Sequence, residues 1–312
     1  MPGARPLASL SAMIPGDGRC ERTAGELLRD WRRRRRLSQL ALATEAEVSQ
    51  RHLSFVECGR ASPSRAMLLH LAEHLAVPLR ERNALLTSAG FAPVYRERPL
   101  DDAEMAGVRE TIGTLLDAHA PAPALAVDRH WNLLLANDCV GPLIDGAAAH
   151  LLEPPINVLR LGLHPEGLAP RIANLRQWRE HLLRRLARQV DGSNDAGLIA
   201  LLEELRAYPA PPPGRDAADG DQAGDQAGDR AGDRTGDGTG TGTGIAVPLH
   251  LRVAGRSLAL VSTTMVFGTP LDVTLSELAV ETFFPADRAT AEALRSLRRD
   301  AARPGGRTRP VR

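Results

Sequence analysis

Apolar residues recur at helical spacing in five short runs through the first ninety positions of the chain. Leu27, Leu28 and Trp31 share one side of a run that starts at Thr23. Leu40 and Ala43 mark a second run, and Ala46 and Val48 lie around a bend. Leu53, Phe55 and Val56 form a third stripe, and Ala66, Met67, Leu69, Leu71 and Leu75 a fourth, which ends at Val77-Pro78. Leu79 to Ala89 makes the fifth, stopped by Gly90. Ser38, Ser49 and Ser64 stand where an N-cap hydroxyl accepts an orphan backbone N–H. Helices this short do not hold in isolation, so the five must pack on one another.

Beyond residue 100 the periodicity changes twice. Asp101 to His119 reads as a helix with Val108, Ile112, Leu115 and Leu116 on one face, broken by Pro121 and Pro123. Ala124–Val127 and Trp131–Ala136 read as a strand pair joined through Asp128, Arg129 and His130. Asn137 and Asp138 end that pair and cap a short helix to Ile144. Asn157–Leu163 is a short apolar segment. Pro170–Gln189 is a long amphipathic helix with Ile172, Leu175, Trp178, Leu182 and Leu186 as its stripe and Arg176, Arg179 and Arg185 facing out. Leu198–Tyr208 is a further helix. Strict alternation then takes over: Leu249, Leu251 and Val253, a turn at Ala254-Gly255, then Leu258, Leu260, Ser262, Thr264 and Val266. Leu275–Phe284 alternates again, with Leu278, Val280 and Thr282 on one side, and Asp287 caps a last helix to about Arg299. The expectation is a small antiparallel sheet with helices on one face and a cavity between them.

Between these two patterned regions and around them lie segments without a period. Residues 1–20 are rich in Gly, Pro and Ala, 93–102 read as a linker, and 301–312 as a basic tail. Residues 209–244 hold a Pro run and a decaying tetrapeptide repeat, GDQA to GDRT. The repeat has no large apolar residue with which to offset its ordering entropy, so a disordered insert is expected. Calcium-binding solenoid repeats run on nine residues with an apolar position, which this one lacks.

Charge sharpens the division. The net charge is +1, yet residues 21–100 carry fourteen Arg against nine acids, and residues 101–285 carry fifteen against twenty-five. A basic first region beside an acidic second one suits a polyanionic partner for the first alone. All 39 basic residues are Arg. Three cysteines, far apart, imply neither a disulfide framework nor a metal set, and a reducing cytoplasm is expected. No apolar run approaches the ~18 residues of a membrane span, and Leu7–Ile14 is too short and Ser-broken for an export signal.

The stretch Ser38–Pro63, SQLALATEAEVSQRHLSFVECGRASP, leaves Gln50, Arg51, His52 and Ser54 outside, side chains that donate to base edges or phosphates. With its flanks, Thr23 to Ala89, it resembles the helix-turn-helix of the phage-repressor and XRE regulators. Gln39 and Gln50 stand where that family places a phosphate-gripping and a base-reading Gln, and Glu57, Gly59 and Pro63 match its Glu-x-Gly-x-x-x-Pro ending. Glu47 stands where the family's turn usually has Gly, so it must adopt a left-handed backbone or change the turn. The candidate DNA contacts are Gln39, Ser49, Gln50, Arg51, His52, Ser54 and Arg60, with Arg35 from the five-arginine run Arg32–Arg36. Three further stretches, PALAVDRHWNLLLAN, NVLRLGLHPEGLAPRIANLRQWREHLLRRL and STTMVFGTPLDVTLSELAVETFFPAD, resemble the C-terminal ligand-binding domain of MmyB-like regulators.

The resemblance implies a multidomain chain. An N-terminal all-α, five-helix, lambda-repressor-like helix-turn-helix domain (21–92) is joined to a C-terminal α+β, PAS-like domain (103–300). It also implies a cytoplasmic regulator of transcription that binds double-stranded DNA, forms a homodimer and senses a hydrophobic, fatty-acid-like ligand; the alternative is a C-terminal domain that only dimerises or holds a protein partner. Candidate ligand contacts are Trp131, Leu133, Asn137, Trp178, Leu182, Phe267 and Phe283, for each of which plain core packing is an equal reading. Asn137 serves either to orient a ligand's polar end or to cap the next helix. No cofactor, metal or enzyme activity is expected: no G-x-S-x-G, P-loop or dinucleotide fingerprint occurs. His70-Leu-Ala-Glu73-His74 matches an inverted zinc-protease pattern on paper, but sits where the helix-turn-helix fold places a packing helix.

Overall fold

The computed structural model of the chain describes residues 22–193, 195–209, 247–270 and 272–301. The expected extension 1–20, the insert 209–244 apart from Pro209, and the tail 301–312 apart from Ala301 lie outside the described residues. The chain divides into two compact units between Tyr95 and Arg96.

The first unit is five helices: α1 (Ala24–Arg34), α2 (Gln39–Glu45), α3 (Gln50–Glu57), α4 (Arg65–His74) and α5 (Leu79–Ser88). Thr23 and Glu26 form a reciprocal capping box on α1, and the hydroxyls of Ser38, Ser49 and Ser64 accept the N–H groups of Ala41, His52 and Met67. All five helices end in the same reversal. The N–H groups of Leu37, Val48, Arg60, Val77 and Phe91 each return to a carbonyl five residues back, at 2.8–3.1 Å. Such a reversal requires a left-handed residue one position earlier. Gly59 and Gly90 supply it without cost, whereas Arg36, Glu47 and Ala76 adopt φ of 56°, 52° and 47° against the clash of their own Cβ. Glu47 therefore keeps the family's turn geometry without the family's glycine.

Leu28, Leu42, Leu53, Leu71, Leu75 and Leu86 are wholly withdrawn from solvent between the helices. Gly25 sets how closely α1 approaches α3. A Cβ there would come within 2.1 Å of the Val56 carbonyl oxygen, so any side chain pushes the two helices apart.

The ten residues expected as a linker are shared between the units. Asn83 holds Val94 and Tyr95 by three hydrogen bonds to their backbone. On the other side Arg98 pairs with Asp272 and Glu104, the Val273 N–H donates to the Arg96 carbonyl, and Leu100 is buried.

The second unit runs α6 (Ala106–Ala118), β1 (Ala124–Val127), β2 (Leu133–Ala136), α7 (Gly141–Ile144), α8 (Val158–Leu163), α9 (Leu175–Ser193), α10 (Ala196–Ala207), β3 (Leu249–Val253), β4 (Arg256–Val266), α11 (Val273–Ser276), β5 (Ala279–Pro285) and α12 (Arg288–Ala301). The strands form one antiparallel sheet in the order β2-β1-β5-β4-β3. Alternation in β1 divides its side chains: Ala124 and Ala126 pack with Ile112 and Leu116 of α6, while Leu125 and Val127 join α8, α9 and α10 in the larger core. Helices thus cover both faces, not one. Two element boundaries also move. Ile172 bridges to Leu251, which delays the long helix to Leu175. Asp272 accepts the Thr274 N–H at 2.9 Å and curls Val273–Ser276 into a helical turn, so the last strand starts at Ala279.

Candidate functional site

In the first unit the exposed face of α3 carries the chemistry. Its inner side, Leu53, Val56 and Glu57, is buried, which turns Ser49, Gln50, Arg51 and His52 to solvent and leaves Ser54 half-buried one turn on. Arg51 lies 5.4 Å over the Phe55 ring, a contact that steadies the guanidinium without occupying its donors. Arg60 is exposed just past the reversal that ends α3.

Beneath this face lies a buried charge cluster. Glu57 accepts from Arg32 Nε (2.6 Å), Arg32 Nη2 (2.7 Å) and Gln39 Nε2 (2.9 Å), and its backbone carbonyl accepts from Arg29. Burial alone would raise the Glu57 carboxyl. The hydrogen bonds from Arg32 and Gln39, with the charges of Arg32 and Arg29, outweigh it and hold the carboxyl below its ordinary range. Gln39 therefore spends one amide proton on Glu57 inside the domain and keeps the second.

The arginine run separates by role. Arg32 is buried on Glu57, and Arg34 lies over Trp31 at 5.1 Å. Arg35 donates to the carbonyls of Leu75 and Ala76, both at 2.8 Å, where it closes the end of α4. Both bonds hold Arg35 within the first unit. His70 Nε2–H donates to the Ala46 carbonyl at 2.7 Å, a tie between α4 and the end of α2. Among the described residues one trio brings metal-type ligand atoms within 4.8 Å of one another: His150, His164 and Glu166, with His150 and Glu166 exposed.

The second unit encloses a cavity of about 110 Å³ between the sheet and helices α7, α8 and α9. Its wall is apolar except for Arg185, Ser262 and Glu281. Apolar voids of ~150 Å³ stay dry and take up benzene-sized molecules, so this one is of ligand scale. Five of the seven expected ligand contacts line it: Trp131, Leu133, Trp178, Leu182 and Phe283.

Two do not. Asn137 is buried elsewhere, its Oδ1 accepting the Ala124 N–H and its Nδ2 donating to the carbonyls of Leu116 and Ala122. All its polar atoms are used in tying α6 to β1, and it neither faces the cavity nor caps α7. Phe267 follows the end of β4 and is 37% exposed.

Local structure explains how Trp131 arrives. Asp128 Oδ1 accepts the N–H groups of His130 and Asn132, both at 2.8 Å, which forces a turn where Trp131 takes φ 68°. Backbone strain of this kind costs roughly 1–3 kcal/mol and persists where surrounding contacts over-determine it. Here Trp131 Nε1 donates to Gln189 Oε1 at 2.9 Å, and the Arg185 guanidinium stacks 4.5 Å from the indole centroid.

Arg185 was expected to face solvent and Glu281 was not singled out. Arg185 Nη2 meets Glu281 Oε1 at 2.5 Å and Thr264 Oγ1 at 2.7 Å, and Nη1 meets Glu281 Oε2 at 3.1 Å. A signal for each existed. Arg185 sits between Leu182 and Leu186 in the buried stripe of α9, and Glu281 shares the strand parity of Phe283. Of the other outward arginines, Arg179 donates to the carbonyls of Leu205, Arg206 and Tyr208 at the end of α10.

A recognition helix on a five-helix unit and a lined cavity in an α+β unit define a DNA-binding transcription regulator with a ligand-binding domain. Residues 23–85 match the family model of a helix-turn-helix domain, and residues 108–297 match that of the MmyB-like transcription regulator ligand binding domain. The chain belongs to the MmyB-like transcription regulators. No curated protein matches it. Both matched families are regulatory and not enzymatic, and no described helix is long and apolar enough to cross a membrane.

Proposed function

We propose that this regulator acts in the cytoplasm as a sequence-specific DNA-binding protein whose affinity for its operator follows the occupancy of the second unit's cavity by a small hydrophobic, fatty-acid-like molecule. The observation that carries the ligand half is the cavity itself, with five residues of widely separated chain segments, Trp131 to Phe283, turned into one apolar space beside one polar cluster. In the first unit, Gln50, Arg51 and Ser54 read bases, while Gln39, Ser49, His52 and Arg60 hold phosphates. One eight-residue recognition helix reads only a few base pairs, so a homodimer on two half-sites is the working arrangement.

Extraction of the purified protein with organic solvent, followed by mass spectrometry, should release a stoichiometric apolar compound whose re-addition shifts retardation of promoter DNA. Retardation that no extract or apolar probe alters would sink the ligand half. A second reading, that this unit only binds a protein partner, is favoured by the exposed apolar end of β4, where Val266 is 69% exposed beside Met265 and Phe267. Val266→Arg separates the two: it abolishes association under the second reading and leaves ligand response intact under the first.

A further inference from the structure

The trio His150, His164 and Glu166 belongs neither to the α3 face nor to the cavity wall, yet its backbone is closely fixed. His150 lies in a short helical turn, Ala149–Leu152, while His164 caps the end of α8 and Glu166 follows two residues on. The Ala148 N–H donates to the Glu166 carbonyl at 2.9 Å and joins the two segments. Past Glu166 the Leu168 N–H returns to the Leu161 carbonyl at 2.9 Å. Gly167 permits that crossing, because a Cβ there would lie 2.2 Å from the same oxygen. The His164 ring meets those of His150 and Tyr208 edge to face, at centroid distances of 5.5 and 5.1 Å.

One donor atom from each member of the trio falls within 4.8 Å of the other two. His150 Nε2 and Glu166 Oε2 are 3.9 Å apart, too far for a hydrogen bond. Around a tetrahedral zinc ion with bonds of about 2.1 Å, neighbouring ligand atoms stand about 3.4 Å apart. A small rotation of the two exposed side chains, His150 and Glu166, closes the set to that spacing. The Glu166 N–H now donates to His164 Nδ1 at 3.1 Å in an exposed bond. Whichever ring nitrogen takes the ion, that N–H passes to water. Two imidazoles and a carboxylate suit zinc and its divalent neighbours, whereas Mg²⁺ and Ca²⁺ take oxygen ligands. Arg160, the cation of α8, is neutralised by Glu204 through bonds of 2.7–3.0 Å and does not oppose the ion's charge. The cluster also borders the cavity: Leu161 and Leu168, joined across the Gly167 turn, both line it.

We propose that His150, His164 and Glu166 bind one divalent transition-metal ion of the zinc type, with water completing its shell, and that the ion pins residues 161–168 of the cavity wall to the turn Ala149–Leu152.

Zinc titrated into the tag-free full chain against a chromophoric chelator tests the site. The wild type should hold one Zn²⁺ that His150→Ala and Glu166→Gln each bind at least tenfold more weakly. Both side chains are exposed, so these variants should fold. His74→Gln, which removes half of the histidine pair on α4, should bind that ion as the wild type does. Hydrogen exchange at the amides of residues 161–168 should slow at least threefold with zinc in the wild type and stay unchanged in His150→Ala. Absence of zinc uptake, or uptake that His150→Ala and Glu166→Gln leave unaltered, overturns the site. Uptake at the trio without slower exchange overturns the pinning.

Discussion

Arg32 and Glu57, twenty-five positions apart, meet in a buried two-bond pair, 2.6 Å from Nε to Oε1 and 2.7 Å from Nη2 to Oε2. The pair locks the end of α1 to the end of the recognition helix, and the Arg32 Nη1 bond to the Leu37 carbonyl at 2.9 Å adds the chain leading to α2. Removing one partner strands the other charge, a loss of about 3–5 kcal/mol. Glu57→Ala should therefore destabilise the first unit by about that amount. Because the folded Glu57 carboxyl titrates below its ordinary 4.5, its contribution is complete above that pH and disappears as pH falls through the lower folded value. Thermal melts of wild type and Glu57→Gln should differ at pH 7, with a gap that narrows steadily as pH falls below 4.5; a gap that does not narrow in acid would contradict the assignment.

The DNA contacts separate by salt. Gln50→Ala should lower affinity for the cognate site by about 1–3 kcal/mol and relax one base position, with random DNA little affected. Arg60→Ala should weaken cognate and random DNA alike and flatten the dependence on salt. Arg35→Ala should lower the melting temperature and leave the salt slope alone, since its donors serve α4. Equal loss on random and cognate DNA for Gln50→Ala would move base reading elsewhere on α3.

Ala76 isolates the cost of a left-handed residue, because it is exposed, carries only a Cβ and has φ 47°. Glycine removes a clash of about 1–2 kcal/mol and adds about 0.5–1 kcal/mol of unfolded-chain entropy. Ala76→Gly should thus stabilise the first unit by about 0.5–1 kcal/mol in urea titrations. Any destabilisation would show that the reversal at α4 does not carry that strain.

Leu182 points from α9 into the cavity wall. Leu182→Trp should fill the space, remove ligand-dependent change in DNA binding and keep the unit folded by circular dichroism. A variant that unfolds would mark a packed core with no room for the larger ring, and an unaltered ligand response in a folded variant would place the site elsewhere.

The parts of this architecture readable in the sequence are those set by local periodicity. The serine caps, the five helical stripes and the alternation of β3 and β4 each depend on residues a few positions apart. Trp131, Leu133, Trp178, Leu182 and Phe283 were legible as inward residues for the same reason. What periodicity could not show were partners far apart in the chain. Arg185 and Glu281 are 96 positions apart; stripe and parity hint that each points inward, but nothing local names one as the other's partner. Asn137 failed in the opposite direction. Its position after a strand suggested a cap, but its amide satisfies three backbone groups drawn from α6, β1 and the turn between them. Helix coverage of the sheet's second face was also hidden, because an amphipathic stripe such as that of α6 names its buried side and not the surface that buries it.

The central claim is that cavity occupancy governs operator binding. The most direct measurement is a fluorescence-anisotropy titration of an operator selected from genomic fragments, with wild-type protein and with Leu182→Trp, each in the presence and absence of a saturating amount of the apolar compound extracted from the purified protein. The account predicts a Kd that changes at least fivefold with that compound for the wild type and not at all for Leu182→Trp, coupling of about 1 kcal/mol or more. An identical operator Kd with and without a ligand shown by calorimetry to be bound would contradict it.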